Sequence, residues 1–153
     1  MAIYPIDHVT DTLIHVARER RVSDVTNLKL QKLLYYSQAW NLVFKNEPLF
    51  SEDIEAWVHG PVVPRVFRRF KALGWKTIES PVVSYGDTHL VAHLRAIIDA
   101  YGHFGATQLE RTTHSETPWK NARGGVPDDQ PSNVVITHRD MKSYFRALAN
   151  GGC

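Results

Sequence analysis

One cysteine, Cys153 at the last position, excludes an internal disulfide, and a body otherwise free of cysteine suits a reducing cytosol. Charge of one sign is equally scarce. The 18 Lys and Arg exceed the 16 Asp and Glu by so little that the formal +2 argues for neither a nucleic-acid nor a membrane partner. No apolar run approaches the roughly 18 residues of a spanning helix. Met1-Ala2-Ile3-Tyr4-Pro5 is not a basic leader followed by an apolar stretch, so a cytoplasmic protein is expected. There is no internal repeat, no low-complexity segment, no glycine-rich phosphate cradle and no Gly-x-Ser-x-Gly elbow. With 43% hydrophobic and 10% aromatic residues, the 153-residue chain has the material for one folded domain over 1–153.

Hydrophobic periodicity makes that domain mainly α, a compact helical unit with a few short β-strands. Ile6, Val9, Leu13, Val16 and Ala17 recur at helical spacing, acidic near the start and basic near the end. Thr26 or Asn27 can cap a second helix whose apolar and aromatic residues, Leu28 to Phe44, cover most of its circumference, which predicts a central position. Residues 54–58 fit a short strand. Val62, Val63, Val66, Phe67, Phe70 and Leu73 then form the stripe of a third helix, with Arg65, Arg68, Arg69 and Lys71 largely off it and Gly74 at its end. Residues 76–86, broken by Pro81, give at best an edge strand or hairpin. Leu90 to Tyr101 define a fourth helix, 106–113 a fifth, and Thr117-Pro118-Trp119 starts another turn. Residues 123–133 read as a loop. Thr137 with Asp140 forms a capping box for a closing helix over 137–149.

Chemistry-bearing residues are sparse. His89 and His93 share an i, i+4 spacing but lack a zinc-protease glutamate and any partner cysteine, so they read as surface or half-buried histidines. Asp128-Asp129 reads as a solubilising turn. His114-Ser115-Glu116 has the residue types of a triad, but sequence neighbours do not adopt triad geometry unaided. No catalytic residue, metal site or cofactor is expected, and an enzyme using His59 or His114 as a base is a minor alternative. A basic helix face gripping DNA is another, although nucleic acid is disfavoured by the weak net charge. The Trp57-Val58-His59-Gly60-Pro61 stretch fixes a rigid strand-to-helix corner. That corner either only docks the third helix or also lines a groove with Trp57 and His59 beside Arg65, residue types that dominate binding hot spots.

Taken together, Thr26-x-Leu28-x-Leu30-Gln31-Lys32-Leu33-Leu34-Tyr35-Tyr36, Pro48-Leu49-Phe50, Trp57-x-x-Gly60-Pro61-Val62-Val63-Pro64, Tyr101-Gly102 and Thr113-His114-x-Glu116-x-Pro118-Trp119 resemble the Panacea domain. This is the family of SocA-like antitoxins and of phage-associated GepA proteins. The resemblance spans about 26–122, with Tyr144-Phe145 similar to the closing helix. It implies an antitoxin that neutralises a cognate protein toxin by direct binding; the residue types that dominate hot spots make Trp57, His59, Arg65, Arg68, Arg69 and Trp119 the candidate partner-binding residues. It also implies an alternative, an adaptor delivering the toxin to a Clp-type protease; by their composition, 124–131 and the tail from Asn150 are the candidate contact segments. The residues before Thr26 are too few for a separate helix-turn-helix, which counts against a DNA-binding regulator.

Overall fold

A computed structural model describes residues 4–79 and 87–151. Cys153 and most of the edge strand or hairpin expected at 76–86 lie outside these residues. Within them the chain forms seven α-helices and a two-stranded antiparallel sheet, a mainly α fold with a minor β element.

Helix α1 (Ile6–Glu19) buries the predicted stripe, from Ile6 and Val9 to Val16 and Ala17. After Arg21, at φ 60°, the chain runs to Thr26, whose side chain accepts the Lys29 N–H at 3.3 Å and starts α2 (Asn27–Lys45). Asn46, at φ 57°, stops it. As predicted, α2 is central: Leu30, Leu33, Leu34, Tyr35, Tyr36 and Ala39 are all fully buried.

Most of its polar residues are buried as well, and three of them hold different neighbours. Gln38 accepts the Leu49 N–H at 2.7 Å and donates to the Phe50 carbonyl at 2.9 Å, supplying a loop with the bonds a strand would have given it. Gln31 accepts the Val63 N–H at 2.9 Å. Lys29 reaches both Asp24 and the Gly102 carbonyl at 2.6 Å. Buried polar groups are tolerated when paired, so each of these bonds fixes where a loop crosses the helix.

Strand β1 (Glu55–Trp57) pairs with β2 (Gly60–Val62) around the two-residue turn Val58-His59. This corrects the expected corner, because Gly60 and Pro61 belong to a strand. In such a hairpin the Trp57–Gly60 pair is hydrogen-bonded and the next, Ala56–Pro61, is not, so proline's missing N–H is not needed there. Residues 134–136 add to the other side of β1, with Ala56 N–H donating to Val134 at 2.9 Å and Ile136 N–H to Ile54 at 2.7 Å.

Pro64 opens α3 (Pro64–Phe70), and a 3-10 turn (Lys71–Leu73) leads to Gly74 at φ 55°. Asp87 caps α4 (Thr88–Tyr101), which packs on α1 and α2 and ends at Gly102. Next come α5 (Ala106–Ser115) and α6 (Thr117–Arg123). Thr137 accepts the Asp140 N–H at 3.1 Å to start α7 (His138–Ala149), which lies against α2. There Phe145 meets Tyr35 and Tyr36 edge-on at 5.8 Å, while Tyr36 stacks on Tyr101 at 3.8 Å. No helix among the described residues is long and apolar enough to cross a membrane.

Candidate partner-binding site

The β1–β2 hairpin is fastened from the core side. Gly60 sits at φ +106° with its Cα so close to α2 that an added Cβ would lie 2.7 Å from Lys32 Cε and 2.9 Å from Thr113 Oγ1. Burial lowers the pKa of that Lys32 amine to about 7, against the opposing pull of Glu110, and its Nζ is 3.5 Å from the Pro61 carbonyl. Trp119, 1% exposed, donates from Nε1 to the Trp57 carbonyl at 2.8 Å. His114 stacks on its indole at 4.0 Å, and burial lowers the pKa of His114.

Outside this support lies an apolar groove of about 620 Å³. Trp57, His59 and Val62 of the hairpin form one wall, Leu28 of α2 and Phe67 of α3 another, and residues 131–133 the third. Trp57 stands edge-on to Phe67 at 5.1 Å and donates to Glu55 at 2.8 Å. An adjoining cavity of about 170 Å³ shares Leu28, His59 and Phe67 and runs to Lys71 and Trp75. Trp75 is 76% exposed, an unusual position for an indole that has no partner to cover it.

The structure divides the six residues proposed for partner contact. Trp57 and His59 line the groove, with His59 Nδ1 3.3 Å from Glu110. Arg65 and Arg69 do not line it. Arg65 pairs with Asp7 at 3.3 Å and Glu52 at 3.5 Å, and Arg69 pairs with Asp11 at 2.6 Å, so both brace α3 against α1 and Arg65 also ties it to the Glu52 loop. Arg68 is exposed beside Phe67 in sequence and has no ion-pair partner among the described residues. Trp119 is buried behind the hairpin, where it holds the Trp57 carbonyl. Among the described residues no three His, Cys, Asp or Glu gather as metal ligands; His93 instead sets Nε2 2.9 Å from the Ser37 carbonyl.

Leu28, Val62, Phe67 and Trp75 escaped identification as groove residues. The first three fit amphipathic stripes, and periodicity does not tell a covered apolar face from an uncovered one. Trp75 did carry a signal, a large aromatic placed just after the Gly74 helix stop.

Residues 124–131 are also more firmly held than their composition implies. Arg123, 3% exposed at the end of α6, donates to the Ala56 carbonyl at 3.0 Å, to Pro127 at 2.8 Å and to Gln130, with its guanidinium 4.7 Å from the Trp119 ring centre. Arg123→Met is expected to cost about 2–4 kcal/mol, because it strands buried carbonyls that had a charged donor. Limited proteolysis reads the local effect: the variant should be cut within 124–131 where the parent resists, and equal resistance would dismiss the clamp.

The chain matches the family described as Antitoxin SocA-like, Panacea domain, over residues 30–92, a span that includes most of α2, the hairpin, α3 and the start of α4. It is 30% identical over 136 residues to Antitoxin SocA of Caulobacter vibrioides (strain NA1000 / CB15N), covering 80% of this chain and 72% of that protein. No solved structure gives a significant match. On this shared sequence the chain belongs to the SocA-like antitoxin family with the Panacea domain.

Proposed function

We propose that the chain is an antitoxin that neutralises a cognate protein toxin by direct binding, with the groove beside the hairpin as the docking surface. The observation that carries the reading is an apolar groove, with an exposed indole at its end, built on a support that holds its shape before any partner arrives. Pre-organisation of this kind lowers the cost of ordering side chains on association. Trp57, Phe67 and Trp75 supply the aromatic anchors that dominate protein interfaces, and a stable complex needs an interface on the order of 1,200–2,000 Å².

Co-expression with the toxin gene beside this one tests the reading. The two proteins should co-elute and growth should be restored; separate elution at micromolar concentration would end it. Leu28→Glu locates the surface. Leu28 is half-buried in the first turn of α2, which holds no acidic residue, so a carboxylate there suits the helix dipole while placing a charge in an apolar groove. The expected result is at least about a tenfold loss of toxin affinity with the melting temperature nearly unchanged. Toxin half-life with and without a Clp-type protease separates steric inhibition from delivery. The clamp on 124–131 favours the steric route, because it ties down the segment an adaptor would offer.

A further inference from the structure

The sheet next to the groove ends in an open strand edge. In the antiparallel pairing of residues 134–136 with β1, the bonds to β1 come from the Val134 carbonyl and the Ile136 N–H. Val135, opposite Glu55, is therefore at a position whose own N–H and carbonyl point away from β1. No other part of the described chain takes them up, and no hydrogen bond within it engages the backbone of Asn133 either. Both residues are exposed, as is Val134, and Val135 is 38% and Val134 49% exposed. An uncapped edge carrying two exposed valines lacks the lysines and bulges that usually protect such edges from pairing.

Alternation along the strands ties this edge to the groove. Glu55, Trp57 and Val62 share the groove-side face of the sheet, and Val135, paired with Glu55, shares it with them. Asn133, two residues before Val135, lines the groove itself. A strand added beside 133–135 would place every second side chain on that same face, next to the groove.

We propose that the toxin docks by strand addition: an extended segment of it pairs with the open edge at Asn133 and Val135 and sends alternate apolar side chains toward the groove. Main-chain bonds supply a sequence-independent part of the affinity, and the apolar face selects the segment. The inference rests on the antitoxin reading above, which supplies the partner. A toxin helix lying in the groove without touching the edge is the competing geometry.

Val135→Pro tests it. Proline removes an outward N–H that gives nothing to β1, and edge strands accept proline at such positions, so the fold should persist. Val135→Thr keeps the N–H and the branched side chain as the control. Against the toxin of the neighbouring gene, Val135→Pro should weaken binding at least about tenfold and Val135→Thr by less than about twofold. In the unaltered chain, exchange of the Val135 amide should slow about a hundredfold or more on complex formation. This measurement decides the matter alone should the proline variant fail to fold. If Val135→Pro binds as the parent does, or the Val135 amide stays unprotected, while Leu28→Glu still abolishes binding, strand addition is wrong and the groove stands. If Leu28→Glu is also without effect, the groove reading itself has failed.

Discussion

Gly60→Ala is expected to destabilise the protein by roughly 3 kcal/mol or more, the larger of the two glycine effects that its backbone predicts. Two costs add at this position. A φ of +106° lies where an L side chain is strained, on the order of 1–3 kcal/mol. The new methyl would also meet Lys32 Cε at 2.7 Å and Thr113 Oγ1 at 2.9 Å, and overpacking of this kind costs about 1–3 kcal/mol. The end of a lysine normally swings aside, but Lys32 is 1% exposed and has nowhere to go without moving the hairpin off α2. Gly74→Ala is the control: at φ +55° and ψ −119° it carries a backbone strain of the same order, about 1–3 kcal/mol, but an added methyl meets nothing within 4 Å, so the overpacking cost is absent. Urea unfolding of the two variants makes the comparison, and equal midpoints would refute the close approach of hairpin to helix. On the docking surface proposed above, toxin binding should fall with Gly60→Ala as well, because Trp57 and His59 hang on the same hairpin.

The contrast between Gly60 and Gly74 also shows what the sequence can and cannot reveal. Gly74 was legible as a helix stop because its reason is local. The caps at Thr26 and Thr137 were legible on the same ground, each side chain bonding a backbone N–H three residues on. The reason for Gly60 is 28 residues away in α2 and 53 away in α5, so only its turn chemistry could be read, and that misplaced it at a corner. Helix α2 teaches the same lesson with polar residues. Its apolar circumference announced a central helix, yet nothing in the pattern marked Lys29, Gln31, Lys32 and Gln38 as buried, since their partners come from distant loops. The arginines of α3 looked like one basic face. The acidic side chains of α1 and the Glu52 loop divide them, holding Arg65 and Arg69 and leaving Arg68.

Stability should pass through a minimum near pH 7 as far as Lys32 and Glu116 are concerned, and the two arms should vanish separately in two variants. Glu116 is buried where Tyr35 and Tyr36 donate to its two oxygens at 3.0 and 3.1 Å; burial raises its pKa from 4.5 to about 7, and the tyrosine bonds only partly offset that. The folded state therefore holds a proton here that the unfolded state releases, so its stabilising effect is complete below pH 4.5 and is lost as pH rises to about 7. Lys32 runs the other way. Burial lowers its pKa from 10.5 to about 7, so the unfolded state binds the extra proton, and stability lost below the folded value is regained as pH rises from about 7 toward 10.5. Shifts of this size correspond to swings on the order of 3 kcal/mol for Glu116 and 5 kcal/mol for Lys32. Lys32→Met keeps a methyl near the position of Cε against Gly60 and removes the charge. It should raise the urea midpoint at pH 7 and flatten only the alkaline arm. Glu116→Gln keeps an acceptor for one tyrosine and should flatten only the acid arm. Midpoints measured from pH 4.5 to 10 for the parent and both variants decide the point: if the difference between parent and variant does not change with pH, the group in question titrates normally and its environment has been misjudged.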